Sequence, residues 1–309
     1  MVSAPENNSL PPKAMREKYK SLPKRVLTSC IALSILALII YLDLNTFEFP
    51  WSIASAAVIV GTFIVYEYFQ MAIKSGHTPF VKIGIFFTAL LFAAIPIHKI
   101  LSFYQTAITP ELIQIWILIF ALMACFYQQS QNKICEKAFE GVASTISGII
   151  YIGLLGSYLT QIAWMHILHP EQKINGIFLL GFSVLVIKMT DIGAFMIGVA
   201  FGKHKWIPRI SPGKSIEGLI GGMISATLLA IILNHFAWKV FDQSWKTIIF
   251  GIVISFTGQL SDLVESIFKR SAGMKDSANY LPGFGGVFDL MDSLIVTAPI
   301  AFLLFNFLA

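Results

Sequence analysis

The sequence is short of charge and of cysteine. Asp, Glu, Lys and Arg make up only 13% of its 309 residues, about half the share in a soluble domain. This excludes a disordered chain and a nucleic-acid-binding protein, both of which need dense charge and few apolar runs. It also argues against a water-soluble globule, because too few polar side chains exist to cover its surface. Cys30, Cys125 and Cys135 form no C-x-x-C pair and cannot all be bridged, so neither a disulfide framework nor a cysteine zinc site is expected. His77, His98, His166, His169, His204 and His235 are scattered and suggest no metal centre. No clear repeat or low-complexity tract breaks the chain.

Apolar length takes their place. Hydrophobic residues reach 56% and the mean hydropathy is +0.74. A spanning helix needs about 20 mostly apolar residues. Nine runs qualify, at approximately 26–42, 51–73, 80–98, 111–127, 142–165, 174–201, 216–236, 245–262 and 293–309. The expected fold is an all-α polytopic membrane protein. No small-residue cleavage site follows Leu42, so the first run reads as a retained anchor. With nine spans, 17 Lys and Arg fall on the side of the N-terminal tail and 4 on the other. Positive charge collects in cytoplasmic loops, which puts the N-terminus in the cytoplasm and explains the net charge of +5 without nucleic acid. The chain is expected to divide into a basic cytoplasmic tail over 1–25, N-terminal transmembrane helices over 26–170 and a C-terminal transmembrane region over 171–309, where the residues described next would place any catalytic site.

Polar residues inside the spans carry the functional signal. Lys188 and Asp191 lie at i, i+3 in the sixth span and share a helix face. Ionisable groups in a membrane face a cavity or a partner, so the pair either lines a polar active-site cavity or closes helix packing. Glu67, alone in the second span, is open between a site role and an interfacial position. The loop after the sixth span carries Lys203, Lys205, Arg209 and Lys214, and its Ser211-Pro-Gly-Lys-Ser215 turn leads into a helix. Backbone amides at that helix start, with Lys214, suit an anionic ligand. It is not a Walker A loop, since Pro208 stands where that pattern needs glycine. Taken alone, a positive-inside connector explains the loop as well.

The densest constellation runs from 258 to 293. Asp262, Glu265, Ser266 and Lys269 fall within an arc of about 80° at helical spacing, so a polar stripe continues the eighth span. Asp262 and Glu265 read equally as partners of nearby cations. Asp289 and Asp292, at i, i+3, project from one face of the last helix and could share Mg²⁺, which prefers oxygen ligands. Between stripe and pair sits Pro282-Gly-Phe-Gly-Gly286, a turn whose glycines let backbone approach a phosphate. Such a grouping at a membrane surface fits metal-dependent phosphoryl or nucleotidyl transfer to a phosphorylated lipid.

These residues resemble the signature of the phosphatidate cytidylyltransferase (CDP-diacylglycerol synthase) family, approximately S-x-x-K-R-x4-K-D-x5-P-G-H-G-G-x-x-D-R-x-D. Ser266, Lys269, Arg270, Lys275, Asp276, Pro282, Gly283, Gly285, Gly286, Asp289 and Asp292 stand at matching positions without a gap. Upstream, Asp191-Ile-Gly-Ala-Phe and Arg209-Ile-Ser-Pro-Gly-Lys-Ser-Ile-Glu-Gly are similar to the family's D-T-G-A-Y and R-I-S-P-x-K-T-x-E-G segments. The resemblance covers about residues 185–293. It departs at Phe284, where the family has His, and at Leu290, where it has Arg. It implies transfer from CTP to phosphatidate with Mg²⁺, giving CDP-diacylglycerol and pyrophosphate. It implies Asp289, Asp292 and Asp276 as metal ligands, with Lys275 and Ser266 also in the catalytic set. Lys269, Arg270, Lys214, Arg209, Lys188, Asp191 and the backbone of Gly285 and Gly286 would contact substrate. Two rivals stand beside this reading: a CTP-dependent transferase using a polyprenol or ether lipid, and a transporter with Lys188 and Asp191 in its path. Membrane lipids are expected partners, nucleic acid is not, and a homodimer is left open. A bacterial inner membrane is the expected location.

Overall fold

A computed structural model describes residues 34–45, 49–102, 104, 108–131, 137–168, 174–278, 281 and 285–308. The basic tail over 1–25 lies outside them, as do Cys30, Cys135, His169 and Pro282, Gly283 and Phe284 of the glycine turn. The described chain is helical almost throughout. Short α1 (Ser34–Asn45) precedes α2 (Trp51–Lys74), whose first amides are capped from outside by Asp43, at 2.9 Å from Ser52 N and 2.7 Å from Ile53 N. Next come α3 (Val81–Phe92), α4 (Ala94–Ser102) and α5 (Pro110–Ser130). Helix α6 (Ala138–Gly148) widens into a π segment at Ile149–Leu154 before α7 (Leu155–Ala163) and short α8 (Met165–Leu168). The C-terminal region holds α9 (Gly176–Phe201), α10 (Ile216–Leu233), α11 (Ser244–Ser271), α12 (Phe288–Ile295) and α13 (Thr297–Leu308).

Among the described residues, seven helical segments are long and apolar enough to cross a membrane, or eight if the bent pair α3 and α4 is one span. This is a multi-pass membrane protein. The run expected first begins outside the described residues, and its described part is α1. The expected third span is not straight: α3 and α4 meet at 52°. Pro96 has no N–H to give the Phe92 carbonyl four residues back, so the ladder breaks there. The hydroxyl of Thr160, at 3.5 Å, faces that carbonyl instead.

Two local features differ from the sequence expectation and both bear on the site. The segment expected as a turn before α10 is extended: β2 (Ser211–Ser215) pairs antiparallel with β1 (Lys205–Ile207), and the reversal falls at Pro208-Arg209-Ile210. Ser215 then caps α10 by accepting from Gly218 N at 3.1 Å. The last span also starts five residues early, at Phe288, and its two helices α12 and α13 break at Val296, where Ser261 enters. The Ser261 hydroxyl donates to the Asp292 carbonyl and accepts from Val296 N at 3.4 Å.

Packing places the polar stripe between two apolar bodies. One core joins α9, α10, α11 and α13 through Phe182, Val186, Ala226, Phe250, Ile254 and Phe305. A second joins α2 to the π segment and α12 through Val65, Tyr68, Phe69, Ile152, Phe288 and Ile295. Helix α12 is wedged at their junction, with α11 behind it. Its carboxylates are thereby held in low-dielectric surroundings.

Candidate active site

The site grows from the polar face of α11. Helical spacing brings Glu265 and Lys269 together, Lys269 Nζ lying 2.6 Å from Glu265 Oε2. One turn earlier, Asp262 meets Lys214 of β2, Nζ to Oδ2 at 2.5 Å. Asp292 of α12 completes the group: Asp262, Glu265 and Asp292 each offer a carboxylate oxygen, all within 4.8 Å of one another. Glu265 is fully buried, and its Oε1 has no hydrogen-bond donor among the described residues. Carboxylates gathered this closely repel one another unless cations neutralise them. The hard oxygen donors and the orphaned Oε1 therefore fit a metal ion of the Mg²⁺ type.

The wider charge balance points the same way. Asp191, Asp262, Glu265, Asp289 and Asp292 face three ammonium groups, those of Lys188, Lys214 and Lys269. The carboxylates outnumber the ammonium groups, a balance that a bound cation would relieve. Lys188 lies 3.7 Å from Asp191 and donates to the Leu290 carbonyl at 2.9 Å and Ser293 Oγ at 3.1 Å. An ammonium thus stands beside position 290, where the expected Arg is replaced. Asp191 lies within electrostatic reach of Asp262 and Lys214, so the Lys188–Asp191 pair borders the same cluster.

Asp289 occupies different surroundings. Its Oδ1 accepts from Lys269 Nζ at 2.8 Å. Its Oδ2 accepts from Gly286 N at 2.8 Å, Ser277 N at 2.9 Å and Ser277 Oγ at 2.9 Å. It holds the glycine turn to the start of α12 and to α11. The turn closes through mutual backbone bonds between Leu281 and Gly285, and Gly285 takes a φ of +95°, open to glycine at little cost. A Cβ on Gly286 would collide with Ser277 Oγ and with Glu67 Oε2.

The remaining expected residues lie around this centre. Ser266 is buried beside Glu265 on α11, with no side-chain hydrogen bond among the described residues. Arg270 is exposed and straps two loops, Nε to the Ile210 carbonyl and Nη1 to the Met274 carbonyl, both at 3.2 Å. Arg209 is exposed at the hairpin reversal. Lys275 and Asp276 are also exposed, and neither makes a side-chain hydrogen bond or ion pair among the described residues. The grouping therefore joins Asp292 with Asp262 and Glu265, whereas Asp289 serves the turn and Asp276 stands on the surface.

Sequence reading missed Ser277, Ser293 and Ser261, small polar residues whose roles depend on tertiary approach. It named Asp262 and Glu265 without assigning them to metal. Their i, i+3 spacing on a stripe that also carries Lys269 was the available signal.

Similarity to known proteins places the whole chain in a family. Residues 23–308 match the sequence pattern of the Cytidylyltransferase family. The phosphatidate cytidylyltransferase of Chlamydia pneumoniae is 32% identical over 297 residues, covering 92% of this chain and 92% of that protein. The phosphatidate cytidylyltransferase of Haemophilus influenzae is 42% identical over 134 residues, 42% of this chain and 46% of its own. That of Staphylococcus saprophyticus is 37% identical over 163 residues, 53% and 58% of the two chains. Since the family pattern runs nearly end to end and a relative aligns over 92% of both chains, the chain belongs to the cytidylyltransferase family.

Proposed function

We propose that the protein is a phosphatidate cytidylyltransferase of a bacterial inner membrane, converting CTP and phosphatidate to CDP-diacylglycerol and pyrophosphate. The observation that carries this reading is the Asp262–Glu265–Asp292 cluster, flanked by the Lys214 and Lys269 ammonium groups. A catalyst of this transfer must hold a triphosphate and a lipid phosphate together while neutralising both. Asp262, Glu265 and Asp292 would hold Mg²⁺, which when bound supplies charge neutralisation and Lewis acidity at the phosphates. Asp289 and Asp276, matched by motif, are assigned to positioning the turn and to the rim respectively.

The chemistry asks little covalent work of the protein. An oxygen of the phosphatidate phosphate attacks the α-phosphorus of CTP; a new O–P bond forms as the bond to the β-phosphate oxygen breaks. The attacking group is already an anion, so no strong general base is needed, and Phe284 in place of the family histidine is tolerated. Lys214 and Lys269 are pre-positioned by carboxylates, so their ammonium groups stand ready for phosphate without reorganising. Arg209, Arg270 and Lys275 line the outer rim, where an incoming anion meets them first. Lys188 and Asp191 lie on the α9 side, and Ser266 with the Gly285–Gly286 backbone orients the phosphates. We assign the protein nine crossings with a cytoplasmic N-terminus, which puts the basic hairpin and the glycine turn on the side that holds CTP.

The test uses purified protein in detergent with phosphatidate, Mg²⁺ and radiolabelled CTP. Lipid-dependent CDP-diacylglycerol that disappears in Asp292→Asn is expected. Product only with a polyprenol phosphate or an ether-lipid acceptor would move the substrate assignment. No product with any acceptor from folded protein would overturn the reading.

A further inference from the structure

A carboxylate far from the motif controls where the motif sits. Glu67, on α2, is 1% exposed inside a membrane span, where an unpartnered charge is costly. Among the described residues, its partners all come from the segment before and at the start of α12. Val287 N donates to Oε1 at 2.9 Å, Phe288 N to Oε2 at 2.9 Å, and Ser277 Oγ to Oε2 at 2.7 Å. The first amides of a helix have no partner within it and carry its positive end, so Glu67 acts as an external cap supplied by another span.

Glu67 and Asp289 divide this task. Gly286 N goes to Asp289 and the next two amides go to Glu67, while the Ser277 hydroxyl lies between the two carboxylates, 2.9 Å from one and 2.7 Å from the other. A hydroxyl has one proton, so Ser277 serves one carboxylate at a time and couples both. Gly286 is the residue that permits this approach, since any Cβ would strike Glu67 Oε2. Rings seal the surroundings: Tyr68, next to Glu67, meets Phe268 edge-on at 5.2 Å, and Tyr151 meets Phe288 at 6.2 Å. Asp292 lies one turn further along α12, so the seating fixed by Glu67 sets the spacing of Asp292 from Asp262 and Glu265.

We propose that Glu67 is a positioning residue for the transfer: it anchors the start of α12 to α2 and thereby holds Asp292 in the acidic cluster. This rests on the cytidylyltransferase reading above, and the test separates the two. Glu67→Gln keeps the size but turns an N–H₂ group toward a backbone donor, and Glu67→Asp is too short to reach. A misplacement on the order of 1 Å costs about 10²-fold in rate. Each variant is compared with wild type in detergent for thermal midpoint, kcat, KM for CTP, and hydrogen exchange of a peptide over 285–292. Expected for Glu67→Gln is a kcat lower by about 10²-fold per folded molecule, with KM changed less than about threefold. Faster exchange of 285–292 is expected with it. Wild-type kcat per folded molecule in both variants would overturn the inference, whatever happens to the midpoint, because a residue needed only for folding leaves the rate of folded enzyme alone. If wild type makes no product, the reaction reading falls by itself. In that case exchange at 285–292 decides the anchor, and equal exchange in wild type and variants overturns it.

Discussion

Asp289 and Asp292 stand three residues apart on α12 and both border Glu265, yet their hydrogen-bond partners differ. Asp289 is saturated: Lys269, two backbone amides and a hydroxyl occupy both its oxygens. Asp292 faces two other carboxylates, Asp262 and Glu265, and among the described residues accepts only its neighbour's amide, Ser293 N, at 2.5 Å. The first ties the glycine turn to α11, and the second borders a cluster in which carboxylates outnumber the ammonium groups beside them. Matching residue types at helical spacing therefore did not mean matching roles. Which role each takes is decided by what the glycine turn, α2 and α11 bring against it.

The contrast is broken most directly at Asp292. Asp292→Asn removes one charge from a repelling cluster and one oxygen anion from the proposed metal set. Turnover should fall by about 10³-fold, the size of losing one strong electrostatic contact in a transition state. The thermal midpoint of the metal-free protein should stay level or rise, because repulsion within the cluster is relieved. A radiolabelled-CTP assay beside a thermal scan without divalent ions reads both. A large loss of stability would place Asp292 with Asp289 instead.

Asp289→Asn should give the opposite balance. An amide in that position can keep only part of the donor set, and Lys269 loses one of its two carboxylate partners. Unmaking buried bonds of this kind costs about 1–3 kcal/mol, read as a lower midpoint with or without divalent ions. Activity should fall less than in Asp292→Asn, about 10- to 10²-fold per folded molecule. Equal stability with a turnover loss as large as that of Asp292→Asn would make Asp289 a direct ligand and remove the distinction.

Much of this was legible in the sequence, for reasons that explain what was not. Apolar runs and capping residues report spans because hydrocarbon length and backbone satisfaction are local demands; Thr109-Pro110, Asn175 and Ser215 each begin a helix where the apolar run begins. Spacing on one helix is also local, so the pairing of Lys188 with Asp191 and the polar stripe of α11 could be read directly. Partners between distant segments could not. Nothing near Glu67 says that it caps α12, more than 200 residues away, and only its solitary charge in an apolar span flagged it. The kink between α3 and α4 was signalled by Pro96, although the expected run carried through it. The hairpin was hidden because Ser211-Pro-Gly-Lys-Ser215 has turn composition. Its extended form comes from pairing with Lys205–Ile207, a contact that composition does not encode.

The mildest test sharpens the contrast at the rim. Arg270 touches neither Asp289 nor Asp292 among the described contacts; it bonds the Ile210 and Met274 carbonyls, joining the hairpin reversal to the loop after α11. Its guanidinium reaches both because its donors are spread across a rigid fork. Lysine keeps the charge but concentrates its donors on one nitrogen, so Arg270→Lys should release one carbonyl. Exposed charged contacts contribute up to about 1 kcal/mol, which corresponds to a factor of about five at most in CTP affinity. The expected result is a KM for CTP raised by no more than that factor, with kcat and midpoint nearly unchanged. A kcat loss comparable to that of Asp292→Asn would mean that Arg270 contacts the reacting phosphates directly. The strap between hairpin and loop would then be a resting arrangement that substrate displaces.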